Sequence, residues 1–173
     1  MAADRARAPG RGVATRAAAG LIAALTLGVA GAQSPELLEP ERAFSFSARP
    51  LDATTVEVRF AIADGYYLYR DKLKLSLEPG ALAAPPVLPA GKMKQDPFFG
   101  KVETYRGKIA VRVLLAAPAP GTTVTVKAES QGCADLGVCY PPQVQKIALS
   151  LPPAGAGPGP VVEFAPARKS WFK

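Results

Sequence analysis

From Phe44 onward the apolar residues of this 173-residue chain recur at every second position in short runs, a period that one face of a β-strand satisfies and a helix does not. Val56, Val58, Phe60 and Ile62 alternate with Glu57, Arg59 and Ala61, and Leu73, Leu75 and Leu77 alternate with Lys72, Lys74 and Ser76. Ile109, Val111, Val113 and Leu115 do the same around Lys108 and Arg112. Val124 and Val126 follow, then Val144, Ile147, Leu149 and Leu151 with one shift in phase. Turn chemistry bounds the runs at Asp64-Gly65, Glu78-Pro79-Gly80, Arg106-Gly107 and Pro118 to Gly121. Six or more short, half-buried strands with no stretch of helical period among them imply an all-β fold, an immunoglobulin-like antiparallel β-sandwich, with a small barrel as the alternative.

The two ends of the chain read differently. Arg5, Arg7, Arg11 and Arg16 precede an apolar run from Ala17 to Ala30, and Ala30-Gly31-Ala32 puts small residues at the −3 and −1 positions of a cut before Gln33. The run has about 14 residues, short of the roughly 20 that span a membrane, so residues 1–32 are expected to be a secretory signal peptide rather than an uncleaved anchor. The expected compartment is periplasmic, where disulfides form and persist. At the other end Pro152 to Pro160 is rich in Pro and Gly, and Arg168 to Lys173 forms a basic, aromatic tip; residues 152–173 are expected to be a disordered linker and tail. The formal charge of +7 suggests nucleic-acid binding only until it is located. Residues 1–32 carry +3 and residues 151–173 carry +2, which leaves +2 on residues 33–150. No nucleic-acid partner is expected.

The chain has no histidine and two cysteines. Histidine-based nucleophile pairs, an imidazole general base and His-containing zinc sites are therefore excluded, and two thiolates fall short of the about four in an all-cysteine zinc site. Neither a metal nor an organic cofactor is expected. Both cysteines lie in Gln131-Gly132-Cys133-Ala134-Asp135-Leu136-Gly137-Val138-Cys139-Tyr140-Pro141-Pro142, so they pair with each other or with another molecule. A disulfide closing about seven residues contributes roughly 2.4 kcal/mol by loop entropy, against nearly 5 for about a hundred. A staple serves stability better between distant strands, which gives a redox role ground without removing the structural one. Two other segments break the alternation. Lys94-Gln95-Asp96-Pro97-Phe98-Phe99-Gly100-Lys101 puts adjacent aromatics in a loop, and at least one of them is expected to cover something other than the core, a disulfide being one candidate. Asp64-Gly65-Tyr66-Tyr67-Leu68-Tyr69-Arg70 places Tyr67 and Tyr69 on one strand face and Tyr66 and Leu68 on the other.

These three segments together, Asp64 to Arg70, Asp96 to Lys101 and Gln131 to Pro142, resemble the N-terminal periplasmic domain of DsbD, the bacterial thiol:disulfide interchange protein, and the resemblance extends from Leu38 to Leu151. It implies a redox domain over residues 33–151 that passes electrons through the pair Cys133 and Cys139 to disulfide-containing proteins, a thiol-disulfide oxidoreductase of the protein-disulfide reductase type. The alternative is a non-catalytic exported binding module with a structural disulfide. By position, Cys139 would form the mixed disulfide and Cys133 would resolve it; Phe98 would shield the bond within a cap loop that also holds Asp96 and Phe99, and Tyr67 and Tyr69 would line the site. The implied partners are thioredoxin-fold proteins as electron donor and acceptors, the latter including disulfide isomerases and cytochrome c maturation factors, with a membrane electron-transfer protein upstream. Pro97 and Phe99 stand where relatives commonly carry Glu and Tyr. The chain ends at Lys173 without the membrane and thioredoxin-like domains, so a stand-alone form served by other proteins is expected. No Lys, Arg or His lies within 131–142, and Asp135 and Asp96 are expected to raise the thiol pKa above the ordinary value of about 8.5.

Overall fold

The computed structural model describes residues 36–117 and 120–166. The expected signal peptide at 1–32 and the basic tip from 167 lie outside the described residues. A single helical turn, α1 (Pro40–Ala43), leads into β1 (Phe44–Pro50), which pairs antiparallel with β2 (Thr55–Ile62). β2 pairs in turn with β7 (Lys108–Leu114). A second sheet pairs β8 (Thr123–Ser130) with both β4 (Lys74–Glu78) and β10 (Gln143–Ser150). The inward side chains of the two sheets form one core: Phe46, Val56, Val58, Phe60, Val111 and Val113 from the first, and Val124, Val126, Ala128, Ile147 and Leu149 from the second. Phe46 and Phe60, direct partners in register, meet with ring centroids 5.2 Å apart. This is the immunoglobulin-like sandwich that the alternation implies, with open sheets rather than a barrel.

A third sheet, of order β5 (Lys92–Asp96), β6 (Gly100–Tyr105), β3 (Tyr66–Tyr69) and β9 (Gly132–Ala134), lies at the end of the sandwich where β2 turns through Asp64-Gly65 into β3. Its two faces do different work. Tyr66, Leu68, Tyr105 and Ala134 join the main core, whereas Tyr67, Tyr69 and Cys133 form a separate buried cluster with Val102 and Cys139 against it. Because adjacent side chains of a strand point to opposite faces, one short run, Tyr66 to Tyr69, both seals the sandwich and builds a second site behind it.

Two expectations need correction. In β10 the apolar phase does not shift: Gln145 takes the inward position before Ile147 and Leu149, and Val144 faces outward and is exposed. A buried amide is tolerated there because Gln145 Nε2 donates to the Phe44 carbonyl at 3.4 Å, a partner that local pattern does not reveal. Nor is the segment after Pro152 wholly unpacked. β11 (Val162–Glu163) pairs with β1 at Ala48 and Ser47, the Phe164 N–H donates to the Phe46 carbonyl at 2.9 Å, and Val162 and Phe164 pack on the core. The physical reason is the open edge of β1, whose backbone groups a short alternating Val-Glu-Phe run can satisfy.

Gly132 marks where β9 presses closest to this frame. A Cβ there would lie 2.6 Å from the Phe44 ring and closer still to the Tyr67 carbonyl oxygen. Gly132→Ala is therefore expected to lower the free energy of unfolding by about 1–3 kcal/mol, the usual cost of overpacking. Denaturant unfolding of the two proteins checks it, and equal midpoints would mean that β9 yields without strain.

Candidate functional site

Cys133 and Cys139 form a disulfide with Cα atoms 3.9 Å apart, at the outer face of the third sheet. Cys133 pairs in register with Tyr67 and has no exposed surface, while Cys139 is half-buried. The loop between them folds back through backbone bonds. The Ala134 N–H donates to the Val138 carbonyl at 2.8 Å, the Gly137 N–H to the Ala134 carbonyl at 3.0 Å, and the Tyr140 N–H to the Gly132 carbonyl at 3.0 Å. Two more restraints tie the loop to the sandwich: the Asp135 N–H donates to the Gly65 carbonyl at 2.7 Å and the Tyr140 hydroxyl to the Leu38 carbonyl at 2.6 Å. Leu136 and Val138 are left exposed at the tip.

The cap is the hairpin from β5 to β6. Pro97 fixes the backbone at the start of a three-residue turn, and Gly100 at φ +72° closes it in the left-handed region that a side chain disfavours. Asp96, the last residue of β5, is only 2% exposed. Its Oδ1 accepts the Phe98 and Phe99 N–H groups at 2.9 and 3.1 Å, and its Oδ2 accepts the Tyr67 and Tyr69 hydroxyls, both at 2.8 Å. Burial alone would raise the Asp96 pKa, but the two N–H groups and two hydroxyls outweigh it and hold the carboxyl below its ordinary value. The same contacts act oppositely on the tyrosines. Burial first, and then the Asp96 carboxylate, push both hydroxyls up, so they stay protonated.

Tyr69 links this network to the sulfurs, with its hydroxyl oxygen 3.1 Å from Cys133 Sγ and 3.9 Å from Cys139 Sγ. A phenol has one proton, and Tyr69 donates it in a hydrogen bond to the Asp96 carboxylate, which turns the hydroxyl lone pairs toward the sulfurs. When the disulfide opens, a Cys133 thiol finds in Tyr69 a ready hydrogen-bond acceptor.

Cations surround the site although the cysteine segment contains none. Arg106, in the turn between β6 and β7, forks onto the Asp135 carboxylate, with Nη1 at 2.8 Å from Oδ2 and Nη2 on Oδ1, and the same Nη1 donates to the Tyr66 carbonyl at 3.1 Å. Its guanidinium carbon also lies 5.3 Å from the Tyr67 ring centroid, and Lys94 Nζ lies 4.8 Å from that centroid. Hydrogen bonding to Arg106 holds the Asp135 carboxyl below its ordinary value despite partial burial. Asp135, expected from the sequence to raise the thiol pKa, thus has its charge met by a partner from 29 residues earlier.

All seven residues named from the sequence meet at this end of the domain, but the two cap aromatics differ. The Phe99 ring stands edge-on to Tyr69 at 5.1 Å, with Lys72 Nζ 5.0 Å from its centroid, and Phe99 is 46% exposed. Phe98 is 62% exposed and is tied to Asp96 through its backbone N–H. Phe99 is thus the aromatic in ring contact with the sulfur-bound tyrosine. Lys94 and Arg106 were not read from the sequence. Lys94 was within reach, since it lies two residues before Asp96 on the same face of β5, whereas Arg106 carried only a turn signal.

A family model described as "Thiol:disulfide interchange protein DsbD, N-terminal" matches residues 34–151, which contain every residue of this site. The chain belongs to the DsbD N-terminal domain family. Among curated relatives, the thiol:disulfide interchange protein DsbD of Ralstonia nicotianae is 46% identical over 142 residues, covering 81% of this chain and 23% of that protein. The chain therefore spans about a quarter of the length of that relative. A crystal structure of the Neisseria meningitidis DsbD N-terminal domain in the reduced form is 32% identical, with a TM-score of 0.63 over 75% of this chain and 96% of that one. The structure of a complex between the DsbD N-terminal and PilB N-terminal domains of the same organism matches at 36% identity and a TM-score of 0.55, covering 65% of this chain and 87% of that one. The family resemblance read from the three segments, and the fold it implied, agree with these matches.

Asp96 supplies a test of the network. A carboxyl held below its unfolded value contributes stability that is fully present above about pH 4 and is lost as pH falls through the folded value. Asp96→Asn is expected to cost about 2 kcal/mol at pH 7, the usual range for hydrogen bonds to a buried charge, and the gap from wild type should close in acid. Asp52 and Asp135 are likewise held low but are common to both proteins, so their acid dependence cancels from the difference. A gap that stays constant from pH 7 to pH 3 would mean that the charge of Asp96 does not contribute.

Proposed function

We propose that this domain is a thiol-disulfide exchange module, a disulfide oxidoreductase of the protein-disulfide reductase type, that works through Cys133 and Cys139. The observation that carries the reading is the asymmetry of the pair. Cys139 is half-buried at a domain end with apolar Leu136 and Val138 exposed beside it, whereas Cys133 is fully buried against Tyr69. Exchange needs an accessible sulfur, a second thiol behind it and no metal or cofactor.

In the reduced domain the Cys139 thiolate attacks one sulfur of the partner's disulfide, forming the mixed bond and displacing the partner's first thiolate. The Cys133 thiolate then attacks Cys139 Sγ, closing Cys133–Cys139 and releasing the partner's second thiolate. Two electrons pass to the partner, and its two thiolates take protons from solvent. Hydrogen bonding of a Cys133 thiol to Tyr69 favours its protonated form until the mixed bond is made, which leaves Cys139 as the first nucleophile. Phe98 and Phe99, carried on the turn that Asp96 fixes, shield the bond from small thiols and swing aside for a protein partner.

The partners that fit are thioredoxin-fold proteins, as donor and as acceptors, with a membrane electron-transfer protein upstream. The Neisseria DsbD domain with PilB sets a precedent for complex formation in the family. Residues 1–32 would export the domain to the periplasm and 33–151 would carry the redox unit, followed from 152 by a Pro- and Gly-rich linker that reaches β11 along β1.

Cys139→Ser is expected to abolish reduction of a thioredoxin-fold disulfide protein while the domain stays folded, and Cys133→Ser to accumulate a mixed disulfide through Cys139. Non-reducing electrophoresis and mass spectrometry read both. Full partner reduction by the Cys139→Ser protein, or a wild-type bond that no thioredoxin-fold protein reduces, would leave the disulfide a structural staple.

A further inference from the structure

Of the five residues between the cysteines, Ala134, Asp135, Leu136, Gly137 and Val138, only Asp135 has a polar side chain. Any side-chain hydrogen bond or ion pair that holds this loop must therefore run through Asp135, and its partner is Arg106. The guanidinium is shared among three structures: the loop carboxylate, the Tyr66 carbonyl of β3, and the face of Tyr67, the strand partner of Cys133. A planar fork fits such an arrangement, and a single ammonium does not.

We propose that Arg106 is a positioning residue for the redox pair, fixing the loop through Asp135 so that the two thiols of the reduced domain stay within closing distance of each other. The proposal rests on the exchange reading for its biological meaning, but not for its test. Backbone bonds turn the loop and tie the Asp135 N–H to the Gly65 carbonyl; the Arg106 fork adds the side-chain tie, from Asp135 to the strand that carries the tyrosines. Freed of it, the loop samples conformations in which Cys139 stands away from Cys133. The effective concentration of one thiol at the other then falls, and with it the tendency to close the disulfide.

The full chain is equilibrated in dithiothreitol buffers of graded redox ratio, and the dithiol fraction is read by alkylation and mass spectrometry for wild type, Arg106→Gln, Asp135→Asn, the double variant and Arg106→Lys. Each of Arg106→Gln and Asp135→Asn is expected to lower the constant for disulfide closure about threefold, equivalent to about 15 mV at about 30 mV per tenfold. The double variant should do no more than Arg106→Gln alone, because Asp135→Asn removes an interaction that Arg106→Gln has already removed, and Arg106→Lys should fall between wild type and Arg106→Gln. Closure constants equal to wild type in the folded single variants, or effects that add in the double, would overturn the proposal. Circular dichroism identifies any variant that does not fold, and the two single substitutions lie on different elements, so either one decides the matter alone. Were wild type to reduce no protein partner while the constants moved as expected, the exchange reading would fail and the positioning role would stand.

Discussion

A carboxylate that is almost fully buried must have its charge met by donors, because the cost of desolvating an unpaired anion exceeds what any single packing contact returns. At Asp96 this requirement organises the whole end of the domain. One oxygen draws in two N–H groups of its own turn and so shapes the cap, and the other draws in two tyrosine hydroxyls from the neighbouring part of the sheet. Tyr69, held in that way, is placed against both sulfurs. Cap, sheet and disulfide are thus three parts of one hydrogen-bonded unit, centred on a charge that the solvent barely reaches.

The sandwich beneath supplies rigidity without supplying chemistry. The alternation in β3 assigns Tyr66 and Leu68 to the main core and Tyr67 and Tyr69 to the site, so the packing that stabilises the fold also fixes the two tyrosine rings. Close approach at Gly132 brings β9, and with it Cys133, onto the same face. The sulfur nearer Tyr69 belongs to the middle residue of β9, whereas Cys139 returns through a turn and keeps part of its surface. That difference in mounting leaves one sulfur buried and the other partly accessible, the asymmetry on which the proposed roles rest.

Much of this was legible in the chain because period two is a strong local signal. It assigned the sandwich and even divided the four residues of β3 correctly between the two faces. What remained hidden was set by contacts across long sequence separations. Arg106 reads as a turn residue until the topology brings it to Asp135, and the inward Gln145 reads as a break in pattern until its amide meets the Phe44 carbonyl. The β11 segment, masked by flanking Pro and Gly, needed the open edge of β1 to become a strand. Of the adjacent Phe98 and Phe99, local sequence could say that one covers something, but not that Phe99 meets Tyr69, since that choice depends on the sense of a turn fixed by Asp96.

What matters most is whether this short-range disulfide is poised for exchange. The direct measurement is the reduction potential of Cys133–Cys139 in the purified protein, by equilibration with a thiol couple of known potential. An exchange module is expected to have a value between about −120 and −270 mV, the range of thiol-disulfide exchange catalysts. A value below about −300 mV would mark a structural bond and exclude a role in exchange.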